Sequence, residues 1–315
     1  MKVVVTGGAG FIGSHLARRL LNEKHEVVVI DELHPYYSVE RKKRQLEWVK
    51  ESGSFHFIQK SLLHNAEELD EVFSDIKADC MIHLAALPGV SYSIEAPNEY
   101  IDYDITATVN ALKLAGKAGI NHFIFASSSS VYGERENIPL KEEMANGRVI
   151  SPYAAAKTSA ESFCHAFASL FGYQMTILRF FTVYGPWGRP DMAISSFIRK
   201  AINNEGIHIF GNGSARDYTY IDDCVDGIIK SMDYRKVNEI FNIGSGNPIS
   251  LQQLVTEIQK YFPHLKMIHE DFRKGDVMNT WADYSKAKRL LQYEPKVSFE
   301  EGIRKTVHWA LKYEV

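Results

Sequence analysis

Cysteine is scarce in this 315-residue chain: Cys80, Cys164 and Cys224 are the only three, odd in number and far apart. That number and spacing argue against a disulfide framework and a zinc knuckle. Charge of a dominant sign is also lacking. A formal net charge of −3 gives no electrostatic ground for nucleic acid or an anionic membrane as partner. No apolar run approaches membrane-spanning length, and no positive n-region precedes an apolar h-region. Repeats and low-complexity linkers are missing too, the serine run Ser127 to Ser130 aside. What these absences leave is a cytoplasmic globular protein, long enough to bury a sizeable core in one two-lobed enzyme or two modest domains.

The most informative segment present is Lys2-Val-Val-Val-Thr-Gly-Gly-Ala-Gly-Phe-Ile-Gly13. A β-branched run breaks into glycines at 7, 10 and 13, the pattern of a strand, a phosphate-cradling turn and a helix start. Gly7 permits the tight turn, Gly10 lets the main chain approach a pyrophosphate, and Gly13 lets the helix lie close to the strand. The N–H groups at the helix start, around Phe11 and Ile12, then face the anion. Helical apolar spacing follows from His15 to Leu21, then a second buried strand, Glu26-Val-Val-Val-Ile-Asp31. Asp31 at its end can accept hydrogen bonds from both ribose hydroxyls and repels a 2′-phosphate, which predicts NAD rather than NADP. The basic group Arg41-Lys42-Lys43-Arg44 is read as a solvated helix face.

Strand-like runs alternate with helical ones at Phe55–Ile58, Cys80–Leu84, His122–Ala126 and Met175–Phe180. Such alternation predicts an α/β fold with a parallel sheet covered on both faces. After Phe181 proline and glycine punctuate shorter segments, as in a smaller, irregular lobe, and Ile240–Ile243 is expected to return to the main sheet. The predicted division is residues 1–180 plus 217–247 for the cofactor lobe and 181–216 plus 248–315 for the substrate lobe.

In Ser151-Pro-Tyr-Ala-Ala-Ala-Lys157, Tyr153 and Lys157 stand four residues apart and share a helix face. A tyrosine is a poor base alone; a nearby ammonium and a positive nicotinamide ring favour its phenolate. Phe125-Ala-Ser-Ser-Ser-Ser-Val-Tyr-Gly133 places hydroxyls at a strand's C-terminal end, where open α/β sheets bind ligands. Together the glycine motif, the serine motif and the Tyr153/Lys157 pair resemble the extended short-chain dehydrogenase/reductase family of nucleotide-sugar enzymes. The likeness runs on through Arg216–Asp223, Asn242–Gly246 and Arg273–Asp276. It implies a Rossmann-type doubly wound parallel sheet with a smaller C-terminal α/β lobe, cofactor contacts at Leu84, Ala85 and Ala86, and a homodimer. It also implies that Ser128 hydrogen-bonds the sugar 4-oxygen beside Ser127 and Ser129, and that Arg216 and Arg273 anchor the substrate pyrophosphate.

Within that family, 4,6-dehydratases carry Asp-Glu next to the serine, and UDP-glucuronate decarboxylases typically carry Glu where this chain has Ser130; their absence points to epimerisation. Leu178-Arg-Phe-Phe-Thr-Val-Tyr-Gly-Pro-Trp-Gly-Arg-Pro-Asp-Met-Ala193 is similar almost residue for residue to the UDP-glucuronate 4-epimerases. Arg189 offers a planar fork of donors to a C6 carboxylate, and Thr182 a short hydroxyl. The resemblance thus implies interconversion of UDP-glucuronic and UDP-galacturonic acids on tightly bound NAD, with UDP-glucose or UDP-N-acetylglucosamine as alternative substrates. Decarboxylation is a further alternative. The chain departs from its relatives at Ser61, an aspartate elsewhere; at Asp104, usually asparagine; and at Leu87 to Ser91, which lack the usual glutamine and arginine. No metal site is expected: Asp222, Asp223 and Asp226 complement a helix start, and His264 and His269 lack zinc-ligand spacing. Tyr92, Tyr100 and Tyr103 are expected to serve packing rather than nucleic-acid stacking.

Overall fold

The computed structural model describes residues 1–73, 75–210, 213–234, 238–270 and 277–314. Its strands are β1 (Lys2–Thr6), β2 (Glu26–Ile30), β3 (His56–Ile58), β4 (Cys80–His83), β5 (His122–Ser128), β6 (Gln174–Phe180), β7 (Thr182–Tyr184), β8 (Ile207–Phe210), β9 (Ala215–Tyr220), β10 (Glu239–Ile243), β11 (Pro248–Ser250) and β12 (Met267–Glu270). Seven of them form one parallel sheet in the order β10-β6-β5-β4-β1-β2-β3. The chain runs outward from β1 to β3, then returns to the other side of β1 at β4. That reversal opens a crevice at the carboxyl ends of the strands.

Side chains of successive strand residues face opposite ways, and each face meets its own layer of helices. Val3, Val5 and Ile82 pack with Leu16, Leu20, Leu46, Val49, Cys224 and Ile228 of the helices Phe11–Asn22, Val39–Lys50 and Ile221–Asp233. Val4, Met81 and Phe123 pack with Leu69, Phe73, Leu112, Ala160 and Cys164 of the helices Ala66–Phe73, Ala107–Lys117 and Pro152–Phe171. Each fully buried aliphatic side chain of this kind contributes about 1.5–3 kcal/mol. Because both faces are dry, these strands read as continuous apolar runs.

The smaller lobe holds a three-stranded sheet, β11-β9-β7, and the pair β12-β8. Ile240–Ile243 lies in β10 at the edge of the large sheet, against β6. Residues 217–220, grouped by sequence with the cofactor lobe, run in β9 and pair with β7 and β11.

The basic group departs from expectation at two of its four positions. Lys43 and Arg44 are exposed, but Arg41 is half-buried and Lys42 is buried. Arg41 pairs with the Glu314 carboxylate and lies over the rings of Trp187 and Trp309, at 5.6 and 5.3 Å. Lys42 Nζ donates to the His34 carbonyl at 2.7 Å and faces the Asp31 and Glu32 charges. The sequence pattern could not show partners supplied by the far end of the chain.

Candidate active site

A continuous cavity of about 1000 Å³ follows the crevice, from the glycine turn across the ends of β4 and β5 and into the smaller lobe. At one end, Gly7 takes φ +70°, and a Cβ there would meet the Ala85 nitrogen at 2.7 Å. A Cβ on Gly13 would stand 2.2 Å from the Gly7 carbonyl oxygen, so helix and strand touch only because both residues are glycine. Gly10 is the N-cap of the helix Phe11–Asn22, and no side chain caps it. The first-turn N–H groups have no intrahelical acceptor and face the cavity that Phe11, Ile12 and Gly13 line. This terminus therefore fits a pyrophosphate.

Asp31 follows β2 at the same mouth. Its Oδ2 accepts from the Ala9 N–H at 3.0 Å and its Oδ1 from the Leu33 N–H at 2.8 Å, and both oxygens retain lone pairs for a diol. Burial raises its pKa, opposed by the charge of Lys42 and by the Leu33 and Ala9 N–H groups. Leu84, Ala85 and Ala86 continue the wall, and Ser61 lies nearby. The Ser61 hydroxyl is committed locally, accepting from the N–H groups of Leu63 and His64.

Ser151 caps the helix Pro152–Phe171, accepting from the Ala154 N–H at 3.2 Å, and Pro152 occupies its first position. This start puts Tyr153 and Lys157 one turn apart on the cavity wall, with Lys157 Nζ 5.9 Å from the tyrosine ring centroid. Lys157 is 4% exposed, and its Nζ is 3.4 Å from Asp104 Oδ2. Opposite, at the end of β5, the Ser128 hydroxyl accepts from the Ser130 N–H at 3.2 Å. Ser128 and Ser129 line the cavity. Ser127 lines it too, but its hydroxyl turns inward to Glu161 Oε1 at 2.5 Å. Glu161 in turn holds Arg179 through both carboxylate oxygens.

The other end of the cavity is built from the smaller lobe. Thr182, Arg189 and Arg216 all line the cavity, whereas Arg273 and the side chain of His269 lie outside the described residues. Arg216 is steadied by the carbonyls of Ala215 and Met278, at 3.1 and 2.8 Å. Arg189 is gripped by Asp191: Nε donates to Oδ1 at 3.1 Å and Nη2 to Oδ2 at 2.6 Å. The Tyr36 hydroxyl donates to the same Oδ2 at 3.4 Å. Burial works to raise the Asp191 carboxyl, but the Arg189 guanidinium outweighs it and the pKa falls. The pair uses the Nε and Nη2 edge of Arg189, which among the described residues leaves the Nη1 edge for another acceptor.

Sequence reasoning missed Asp191, Tyr36 and Lys42 as parts of this cavity. For Asp191 a signal existed in its place two residues after Arg189; for Lys42 and Tyr36 none did. Tyr92 and Tyr100 pack as expected, with ring centroids 6.2 Å apart. Asp222 and Asp223 open the helix Ile221–Asp233, and Asp223 also accepts from the N–H groups of Lys296 and Val297.

A glycine-rich, uncapped helix start at the switch point of a parallel sheet, facing a tyrosine–lysine pair and a hydroxyl, defines a dinucleotide-dependent site for chemistry at a carbinol carbon. The chain belongs to the NAD dependent epimerase/dehydratase family, whose model matches residues 3–244. It is 41% identical to the UDP-glucuronate 4-epimerase of Thermodesulfobacterium geofontis, over 98% of this chain and 95% of that protein. Among solved structures it is similar to the UDP-glucuronic acid 4-epimerase of Bacillus cereus in complex with UDP-glucuronic acid and NAD, with a TM-score of 0.93 and 35% identity over 99% of each chain. It is also similar to a UDP-glucose 4-epimerase of Thermotoga maritima with UDP-glucose, at TM-score 0.90 and 34% identity over 100% of each chain.

Proposed function

We propose that this protein is a UDP-glucuronate 4-epimerase, interconverting UDP-glucuronic acid and UDP-galacturonic acid with NAD held throughout the cycle. The observation that carries the reading is the position of Arg189: a guanidinium whose Nη1 edge meets no acceptor among the described residues, in the cavity that also holds Tyr153, Lys157 and Thr182. Gly7, Gly10 and Gly13, the N–H groups of Phe11 and Ile12, Asp31 and Leu84 to Ala86 would hold the dinucleotide. When bound, it supplies a hydride acceptor whose reduced form returns the hydride to the opposite face of C4.

The chain's own residues handle the proton and the sugar. Tyr153 takes the proton of the sugar 4-hydroxyl and later returns it, with Ser128 positioning the oxygen and Lys157 favouring the phenolate. Arg216 anchors the pyrophosphate while the 4-keto sugar turns over, and Arg273 is assigned the same task from the sequence resemblance. Ser127, its hydroxyl committed to Glu161, shapes the pocket floor beside Ser128 and Ser129. The missing acid at Ser130 weighs against decarboxylation.

The Asp191 carboxylate already engaged by Arg189 favours a second reading, in which a neutral UDP-glucose or UDP-N-acetylglucosamine is turned over as well. The cytoplasm is the proposed compartment, supported by three buried, unbridged cysteines; among the described residues no helix is long and apolar enough to cross a membrane. A homodimer is the proposed assembly. Purified protein incubated with UDP-glucuronic acid and no added NAD is expected to yield UDP-galacturonic acid on chromatography. A UDP-pentose as main product would make the protein a decarboxylase, and turnover of UDP-glucose alone would establish the second reading.

A further inference from the structure

Asp104 sits in a π-helical turn, Ile101–Thr106, that runs directly into the helix Ala107–Lys117. Its side chain is fully buried. Oδ1 accepts from the Leu87 N–H at 2.6 Å, tying the turn to the segment after β4 that walls the sugar pocket. Oδ2 lies 3.4 Å from Lys157 Nζ and makes no other polar contact among the described residues. An asparagine at this place could still accept from Leu87 through its oxygen. Its amide N–H₂ would then confront the ammonium instead of pairing with it. The carboxylate therefore supplies both a negative charge and an acceptor for the ammonium, neither of which the amide nitrogen offers.

We propose that Asp104 is a positioning residue of the reaction, holding the Lys157 ammonium from behind and sharing its charge, so that the electrostatic support Lys157 gives the Tyr153 phenolate is weaker than an asparagine here would allow. The inference rests on Tyr153 as the proton carrier.

The surrounding groups leave this charge to Asp104. From β4, His83 bonds the hydroxyls of Thr6 and Thr108; burial, then the Lys157 charge, lower its pKa to about 3, so it is neutral near neutral pH. Tyr100, whose ring is 6.0 Å from that of Tyr153, and Cys164 on the catalytic helix are both pushed upward by burial and stay neutral. Glu161 is spent on Arg179 and Ser127. Arg189 adds positive charge on the Tyr153 side, itself neutralised by Asp191. Burial raises the Asp104 carboxyl, while the Lys157 charge and the Leu87 N–H pull it back toward ionisation.

The test is Asp104→Asn in the NAD-loaded enzyme. The acid limb of kcat against pH for UDP-glucuronic acid is expected to move to lower pH by about one unit, the reach of a nearby charge. An independent readout needs no substrate: the ultraviolet tyrosinate titration of Asp104→Asn and of the parent, each corrected with its Tyr153→Phe counterpart, is expected to shift the same way. An unmoved titration, or one displaced to higher pH, overturns the proposal. If UDP-glucuronic acid is not turned over, the assigned substrate fails, while the tyrosinate titration still decides the role of Asp104. Should Asp104→Asn fail to fold, Asp104→Ser, which also removes the charge, decides by the same sign.

Discussion

At Arg189 one guanidinium is shared between a protein carboxylate and the place where a sugar carboxylate would lie, and the second task follows from the chemistry of the intermediate. A 4-keto-glucuronate is a β-keto acid, and it loses carbon dioxide when the bond to its carboxylate aligns with the carbonyl π system. Arg189 and Thr182 would hold that bond out of alignment. Arg189→Ala is expected to lower turnover about 10- to 100-fold, the worth of a charge-assisted hydrogen bond, and to raise the share of UDP-pentose several-fold on chromatography. An unchanged ratio of epimer to pentose would sink the idea. His83 offers a residue-scale prediction about stability. Its pKa is depressed to about 3 by burial and then by Lys157, against 6.5 when unfolded, so the unfolded chain takes up the proton first. The stability it contributes is present above about pH 6.5 and drains away as pH falls toward 3, at about 1.4 kcal/mol per unit. Urea unfolding at pH 7 and pH 5 should show the parent losing roughly 2 kcal/mol more than His83→Gln over that interval.

Between elements, the contact that organises the site is the one closed by Gly13. A methyl group there would meet the Gly7 oxygen at 2.2 Å and the Gly8 Cα at 2.7 Å, both backbone, so the helix Phe11–Asn22 must lift from β1. Gly13→Ala is expected to cost about 1–3 kcal/mol and to release NAD on gel filtration, since the first-turn N–H groups move with the helix; a variant that kept parent melting temperature and bound NAD would contradict this. The same economy of structure made the elements legible. β3, β4, β6 and β10 fall within a residue or so of the apolar runs that foretold them, and β5 runs on through Ser127 and Ser128, because buried parallel strands carry their signal in unbroken apolar sequence. The glycine turn and the Tyr153/Lys157 spacing were legible for a related reason: their geometry is local. What the sequence could not reveal depends on partners brought from elsewhere. The Ser127 hydroxyl is committed to Glu161, Arg41 finds Trp309 and Glu314, and Lys42 donates to the His34 carbonyl. No periodicity within a helix records such a meeting.

Across the whole molecule, the two lobes meet over the cavity, and one group of exposed apolar side chains lies away from it. On the helix Pro152–Phe171, Phe163, Phe167 and Leu170 form a stripe at i, i+4 and i+7, and Leu170 is 74% exposed. The neighbouring segment adds Ile94 and Ile101, 46% and 52% exposed, and it packs against the same helix. Exposed large apolar side chains along a helix are unfavourable in water and would be covered by a contact surface. Two copies joined face to face would bury the stripe and bring paired helices from each subunit together, which is the proposed homodimer. Tyr153 and Lys157 lie on the same helix, so the contact would also brace the helix that carries them without entering the cavity. Sedimentation of the purified protein should give twice the 35.8 kDa chain mass. Phe163→Glu combined with Leu170→Glu should give a single chain at micromolar concentration that keeps its NAD. A monomeric parent would rule the dimer out, and a double variant that remained dimeric would place the contact on another face.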